Sequence, residues 1–162
     1  MNFLESLAAE WYGYNGYFVR SNVRVLPLKH GGFGGELDVL AYSPKDSEFI
    51  HIETSSDALV SSEREKRMRR KFNLPHGEYE KAFNVKVDKV RKIAICGSSY
   101  KSDGIRWGDI EVMTVQEFVR DITETLSQKE YLRAAVPESY PLLRAIQMST
   151  WATKKPRVGR KH

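Results

Sequence analysis

Cysteine is nearly absent from this 162-residue chain, with Cys96 alone, so no intrachain disulfide can form and a reducing, cytoplasmic setting is expected. Long apolar runs are missing as well. The N-terminus, Met-Asn-Phe-Leu-Glu, carries no positive charge, and Glu5 and Glu10 interrupt its apolar residues, so neither a signal peptide nor a membrane span is expected. No internal repeat is visible. Acids are absent from residues 154 to 162, where Lys154, Lys155, Arg157, Arg160 and Lys161 stand together. Those five account for the net charge of +5, because the 26 basic residues less these five leave 21 against 21 acids in residues 1 to 153. The body is formally neutral, and its composition, 41% hydrophobic and 29% charged, suits one domain with a real core over residues 1 to 153, followed by a disordered basic tail.

A second basic cluster, Arg64, Lys66, Arg67, Arg69, Arg70 and Lys71, is diluted only by Glu63 and Glu65. Charge concentrated in this way suits a polyanion, and the alternative is a solvated helix face. Along the chain, residues 2 to 12 have helical spacing in Phe3, Leu4, Leu7, Ala8 and Trp11, and the region from Gly13 to Gly16 stops that helix. Residues 17 to 26 read as a strand closed by Pro27, with Arg20 and Arg24 facing away from Val19, Val23 and Val25. The run Gly31-Gly32-Phe33-Gly34-Gly35 leads into a strand rather than a helix and lacks a following Lys-Ser or Lys-Thr, so it is a flexible connection rather than a phosphate loop. Ser62-x-x-Glu65 marks a helix running to Phe72 with Val60, Met68 and Phe72 as its apolar stripe. Residues 73 to 89 read as loop with room for a short helix. Residues 92 to 97 and 110 to 113 read as buried strands, Thr114-x-x-Glu117 caps a helix, and Ser139-Tyr140-Pro141 starts a last one.

The stretch from Gly35 to Asp57 places two acids where packing does not require them. Leu37, Val39 and Ala41 alternate with Asp38, Leu40 and Tyr42, and Phe49, His51 and Glu53 alternate with Ile50 and Ile52. Both arms have the period of a β-strand, with residues 43 to 47 as the turn, and an antiparallel hairpin can bring Asp38 and Glu53 together on one face. Two such acids repel unless something positive lies between them. For Asp38 the alternative is a strand-edge residue paired with Arg20 or Arg24. His51 shares the face of Glu53 and could touch water or phosphate, or be only a polar neighbour.

The order helix, three strands, helix, strand, strand, helix, with acids at Glu10, Asp38 and Glu53, resembles the restriction-endonuclease-like superfamily of PD-(D/E)xK nucleases. The resemblance covers residues 1 to about 115. It implies an α/β fold with a mixed central sheet flanked by helices, and an endonuclease that hydrolyses phosphodiester bonds in DNA with Mg²⁺, or Mn²⁺ in its place. The metal ligands it implies are Asp38, Glu53 and Glu10, and the coordination needs of Mg²⁺ add a strand carbonyl such as that of Thr54, with Glu10 optional. Hard oxygen ligands suit that ion, which uses few protein ligands and keeps several waters.

The chain departs from the pattern at one place. Glu53-Thr54-Ser55 stands where the family has E-x-K, and a hydroxyl cannot stabilise anionic charge as an ammonium does. Lys66, on the following helix, is the expected replacement and completes a catalytic set of Asp38, Glu53 and Lys66. Arg64, Arg67, Arg70, Lys71, Lys154, Lys155 and Arg157 are the expected nucleic-acid contacts. The expected partner is DNA, with RNA and a homodimer left open and no membrane. The alternative is a degenerate nuclease fold that binds nucleic acid or a protein without cutting.

Overall fold

The computed structural model describes residues 2–56, 61–97 and 105–153. The basic tail, Val60 and the connection at residues 98 to 104 lie outside the described residues. The contacts group into two compact units, one up to Phe118 and one from Val119 on.

The first unit is α/β. Helix α1 (Phe3–Tyr14) precedes strands β1 (Phe18–Pro27), β2 (Phe33–Ser43) and β3 (Glu48–Ser55), then helices α2 (Ser61–Phe72) and α3 (His76–Phe83), then β4 (Lys89–Cys96), β5 (Arg106–Trp107) and β6 (Ile110–Thr114). These form one six-stranded mixed sheet in the order β1-β2-β3-β4-β6-β5. The first three strands are antiparallel, β3, β4 and β6 run parallel, and β5 turns back on β6. A parallel β3–β4 pair needs a long crossover, and α2 and α3 fill it.

Local chemistry accounts for the boundaries. Asn2 caps α1 by accepting the Glu5 N–H at 3.0 Å while Glu5 Oε2 accepts the Asn2 N–H at 2.8 Å, a capping box beginning at the second residue. Gly31 and Gly32 make the β1–β2 turn with φ of +89° and +83°. Gly34 and Gly35 belong to β2 itself, where a Cβ would stand 3.2 Å from Leu26 Cβ and from Val25 Cγ2 respectively. The connection is therefore shorter than the glycine run suggests. The segment from residue 73 to 89 holds the full helix α3, and β5 has no counterpart in the sequence pattern because two residues carry no periodicity.

Two clusters fix α2 and α3 on the sheet. Met68 and Phe72 of α2 are buried with Ala94, Cys96, Trp107 and Ile110, and Tyr79 and Ala82 of α3 are buried with Leu40 and Phe49. Helix α1 packs along β1, β2 and β3.

Helix α4 (Val115–Ser127) starts in the first unit, and Thr114 caps it as expected: the Glu117 N–H donates to Thr114 Oγ1 at 3.1 Å and the Thr114 N–H donates to Glu117 Oε2 at 2.8 Å. Thr114→Ala should cost about 1 kcal/mol of stability, read as a lower midpoint in urea. In the second unit, α5 (Pro141–Thr153) begins with proline at its first helical position, where the missing N–H costs nothing. Buried Gln147 donates to the Ala134 carbonyl at 3.0 Å and accepts the Val136 N–H at 2.8 Å. No helix among the described residues is long and apolar enough to cross a membrane.

Candidate active site

Strand register brings the two acids together. Leu40 faces His51 and Val39 faces Ile52 across β2 and β3, so one further step sets Asp38 opposite Glu53, on the face of Leu40 and His51. Glu53 Oε1 accepts the Asp38 N–H at 3.2 Å, and Asp38 Oδ2 accepts the Thr54 N–H at 2.8 Å. An extended residue turns its carbonyl to the same neighbouring strand as its N–H, so the Thr54 carbonyl also faces the Asp38 side.

A single cation bridges the pair, and it belongs to Lys71. Its Nζ donates to Asp38 Oδ1 at 2.9 Å and also to Glu53 Oε2. Met68, Lys71 and Phe72 stand at i, i+3 and i+4, so they share one helix face. Burial of Met68 and Phe72 therefore carries Lys71 onto the acids. Lys66 lies about 140° round the helix from Lys71 and is exposed. The structure thus corrects the sequence expectation: the ammonium at the two carboxylates comes from Lys71, not Lys66. Ser55, in the place of the E-x-K lysine, accepts a hydrogen bond from Arg67 Nη2 at 2.7 Å.

Behind the acids lies a buried relay that strand alternation alone does not resolve. His51 and Glu53 are both 0% exposed. His51 Nε2 is 2.7 Å from Glu53 Oε1, and His51 Nδ1 is 3.1 Å from the Tyr79 hydroxyl. A carboxylate only accepts, so Nε2 carries the hydrogen directed at Glu53. The imidazole packs edge-on to Phe72, with ring centroids 4.5 Å apart. His51 therefore faces the interior and positions Glu53. His51→Leu should cost about 1–3 kcal/mol, because it leaves the Tyr79 hydroxyl and one Glu53 oxygen without that partner in a buried place; chemical denaturation reads the loss.

The environment shifts the two acids in opposite directions. Burial holds the Asp38 carboxyl above the usual aspartate range, with the neighbouring Glu53 charge adding to it, and Thr54 and Lys71 offset only part. Burial also pushes Glu53 up, but the His51 and Lys71 contacts outweigh it and leave Glu53 below its ordinary value. Burial lowers Lys71, and the two carboxylates more than reverse this, so it stays protonated.

The remaining expected residues scatter. Glu10 is half-buried in α1. Among the described residues no three His, Cys, Asp or Glu side chains are grouped to hold a metal, so Glu10 is not brought into one ligand set with Asp38 and Glu53. Arg64 is buried, with 8% exposed, rather than displayed to a polyanion. Arg70 is exposed, and Lys154, Lys155 and Arg157 lie outside the described residues. The arginines of β1 do not pair with Asp38: Arg20 donates to the Ala82 carbonyl, and Arg24 lies 5.7 Å from the centre of the Phe33 ring.

What fold and site define together is an α/β unit with a carboxylate pair on adjacent strands, bridged by a lysine from the crossover helix. Neither a protein-family model, nor a curated protein, nor a solved structure matches the chain.

Proposed function

We propose that this chain has a restriction-endonuclease-like fold and is a Mg²⁺-dependent endonuclease that hydrolyses phosphodiester bonds in DNA. The observation that carries the reading is the convergence of Asp38, Glu53 and Lys71 at the open end of the β2–β3 ladder. Two acids and an ammonium are the groups that this hydrolysis needs, and the chain builds them from the strand positions that the family resemblance indicates, with the lysine moved to α2.

The donor set fits the metal. Asp38 Oδ1 and Glu53 Oε2 already converge on one cation, Lys71 Nζ, and Mg²⁺ takes one or two carboxylates and fills its remaining positions with water. Asp38, Glu53 and the Thr54 carbonyl would hold it, with Mn²⁺ as a substitute. When bound, the ion lowers the pKa of a water and offsets charge on the phosphate. Lys71, a third exposed at its side chain, keeps its charge and can turn from the acids to a non-bridging phosphate oxygen. Thr54 fixes Asp38 and His51 fixes Glu53, so neither acid has to be oriented at the moment of reaction. The test is nicking of supercoiled plasmid by the wild type in Mg²⁺ or Mn²⁺ and not in EDTA; absence of nicking in both metals would sink the reading.

A second reading has one observation in its favour. Glu53 is fully buried and already ion-paired with Lys71, which also suits a structural ion pair in a nuclease fold that binds without cutting. This reading expects salt-sensitive DNA binding and no nicking.

The opposed shifts of the acids give a metal-free test. In a carboxyl-carbon NMR titration Asp38 should titrate above the ordinary aspartate range and Glu53 below the ordinary glutamate range. A Glu53 that titrates at or above the ordinary glutamate range would mean that its His51 and Lys71 contacts are not formed as described.

A further inference from the structure

Beside the acid pair, on the other flank of the end of α2, lies an open cleft of about 450 Å³ that the proposed reaction does not use. Phe72 and Ile110, both buried, form its floor, and Arg69, Arg70, Asn73, Lys92 and Asp109 line it. Two of its three cations have partners: Lys92 Nζ is 2.7 Å from Asp109 Oδ2, and Arg69 Nη2 is 2.7 Å from Glu65 Oε1. Arg70 is exposed and makes none of the described ion pairs. The cleft therefore holds three cations against the single acid Asp109, whose acidity is raised by Lys92 and, more weakly, by Arg69.

Its position follows from the sheet. Lys92 pairs with His51 across β3 and β4, and Ala94 pairs with Glu53, so the Lys92 Cα lies one strand across and two residues back from Glu53, about 8 Å away. Arg70 immediately precedes Lys71 in the chain. A phosphate in the cleft would lie within about two nucleotides of one at the acids, since a strand advances roughly 3.4 Å per nucleotide along the duplex axis.

We propose that this cleft is a phosphate-binding subsite that takes a backbone phosphate of the DNA strand being cut, held by Arg70 and Lys92, with Asp109 orienting Lys92 and competing with the ligand for it. The inference rests on the nuclease reading for the presence of that strand. It gives roles to Lys92 and Asp109, which no motif marked, and separates Arg70, which faces the ligand, from Lys71, which faces the acids. Binding of a short DNA duplex is measured in EDTA by fluorescence anisotropy over a range of salt. In the double variant Arg70→Ala, Lys92→Ala the slope of log K against log salt should shrink by about 1, because one phosphate is no longer neutralised. Asp109→Asn should tighten binding, by roughly two- to fivefold. Circular dichroism confirms that each variant is folded, as the exposure of Arg70 and Asp109 leads us to expect. An unchanged slope in the double variant overturns the proposal, and so does an Asp109→Asn variant that binds more weakly. The two readings fail separately: a missing subsite leaves nicking intact with the slope unchanged, whereas a missing nuclease activity leaves the slope effect without nicking.

Discussion

Lys71→Met should lower metal-dependent nicking by about 100- to 1000-fold, the range for removing one charged or hydrogen-bonding group from a transition state, while Lys66→Met leaves it unchanged. The contrast follows from α2, on which Met68 and Phe72 are buried and carry Lys71 to Asp38 Oδ1, whereas Lys66 is exposed. The same substitution has a structural signature that does not depend on catalysis. Without the ammonium, Glu53 is left with only one of the two partners that hold its acidity up, and Asp38 loses its partial offset against burial and the Glu53 charge. Both acids then shift upward, so the folded state binds protons that the unfolded state has released. Stability of Lys71→Met relative to wild type should therefore fall as pH rises from the acid side to neutrality. The deficit at neutral pH should be about 1–3 kcal/mol, below the figure for a fully buried pair because Lys71 is a third exposed. Lys71→Arg should restore much of the stability and little of the activity, since a planar fork does not replace a compact ammonium. Full nicking by Lys71→Met would remove the lysine from the reaction.

The legibility of this site in the sequence divides along a physical line. Strand alternation is a local signal, and the β2–β3 turn is short, so the opposition of Asp38 and Glu53 could be read from the hairpin alone. The mixed α/β sheet was implied by the family resemblance that the order of elements carries. The identity of the lysine could not be read from proximity in sequence to the start of α2. It was present in the stripe already recognised at Met68 and Phe72, because a charged residue at i+3 inside an apolar stripe must point where the stripe points. Lys66 stands two residues before Met68, about 200° round the helix, and so faces away. The His51 relay was half legible: alternation placed His51 on the face of Glu53, but its contact with Tyr79 spans 28 residues and depends on how α3 packs. Helix α3 itself was obscured by the charges of Glu78, Glu80 and Lys81. Glu78 is nonetheless buried, since it accepts the N–H of Leu26, whose φ of +57° turns that group out of the β1–β2 ladder.

Asp38→Asn and Glu53→Gln should both abolish nicking, because a carboxylate ligand of the metal becomes a neutral amide, yet their effects on stability should differ. Asp38 is held above the usual aspartate range by burial, so the fold prefers its neutral form, and a neutral isostere removes a charge that opposes folding at neutral pH. Asn can still accept the Thr54 N–H through its carbonyl oxygen but then turns its amide toward Lys71 Nζ, so relief of the buried charge offsets the lost ion pair and Asp38→Asn should cost less than about 1 kcal/mol. Glu53 is held below its ordinary value despite burial, so its charged form contributes stability that is present above the ordinary glutamate range and lost as pH falls through its depressed value. Glu53→Gln turns a donor amide toward Lys71 and gives up that contribution, which should cost about 1–3 kcal/mol at neutral pH. A purely structural ion pair would not separate the two in this way, since each acid would then be held in its charged form by Lys71. Chemical denaturation of both variants at neutral pH decides the matter: a loss of stability in Asp38→Asn equal to that in Glu53→Gln would identify the triad as structural. A clearly smaller loss in Asp38→Asn would mark Asp38 as the acid kept at a cost to the fold, as a group retained for chemistry is.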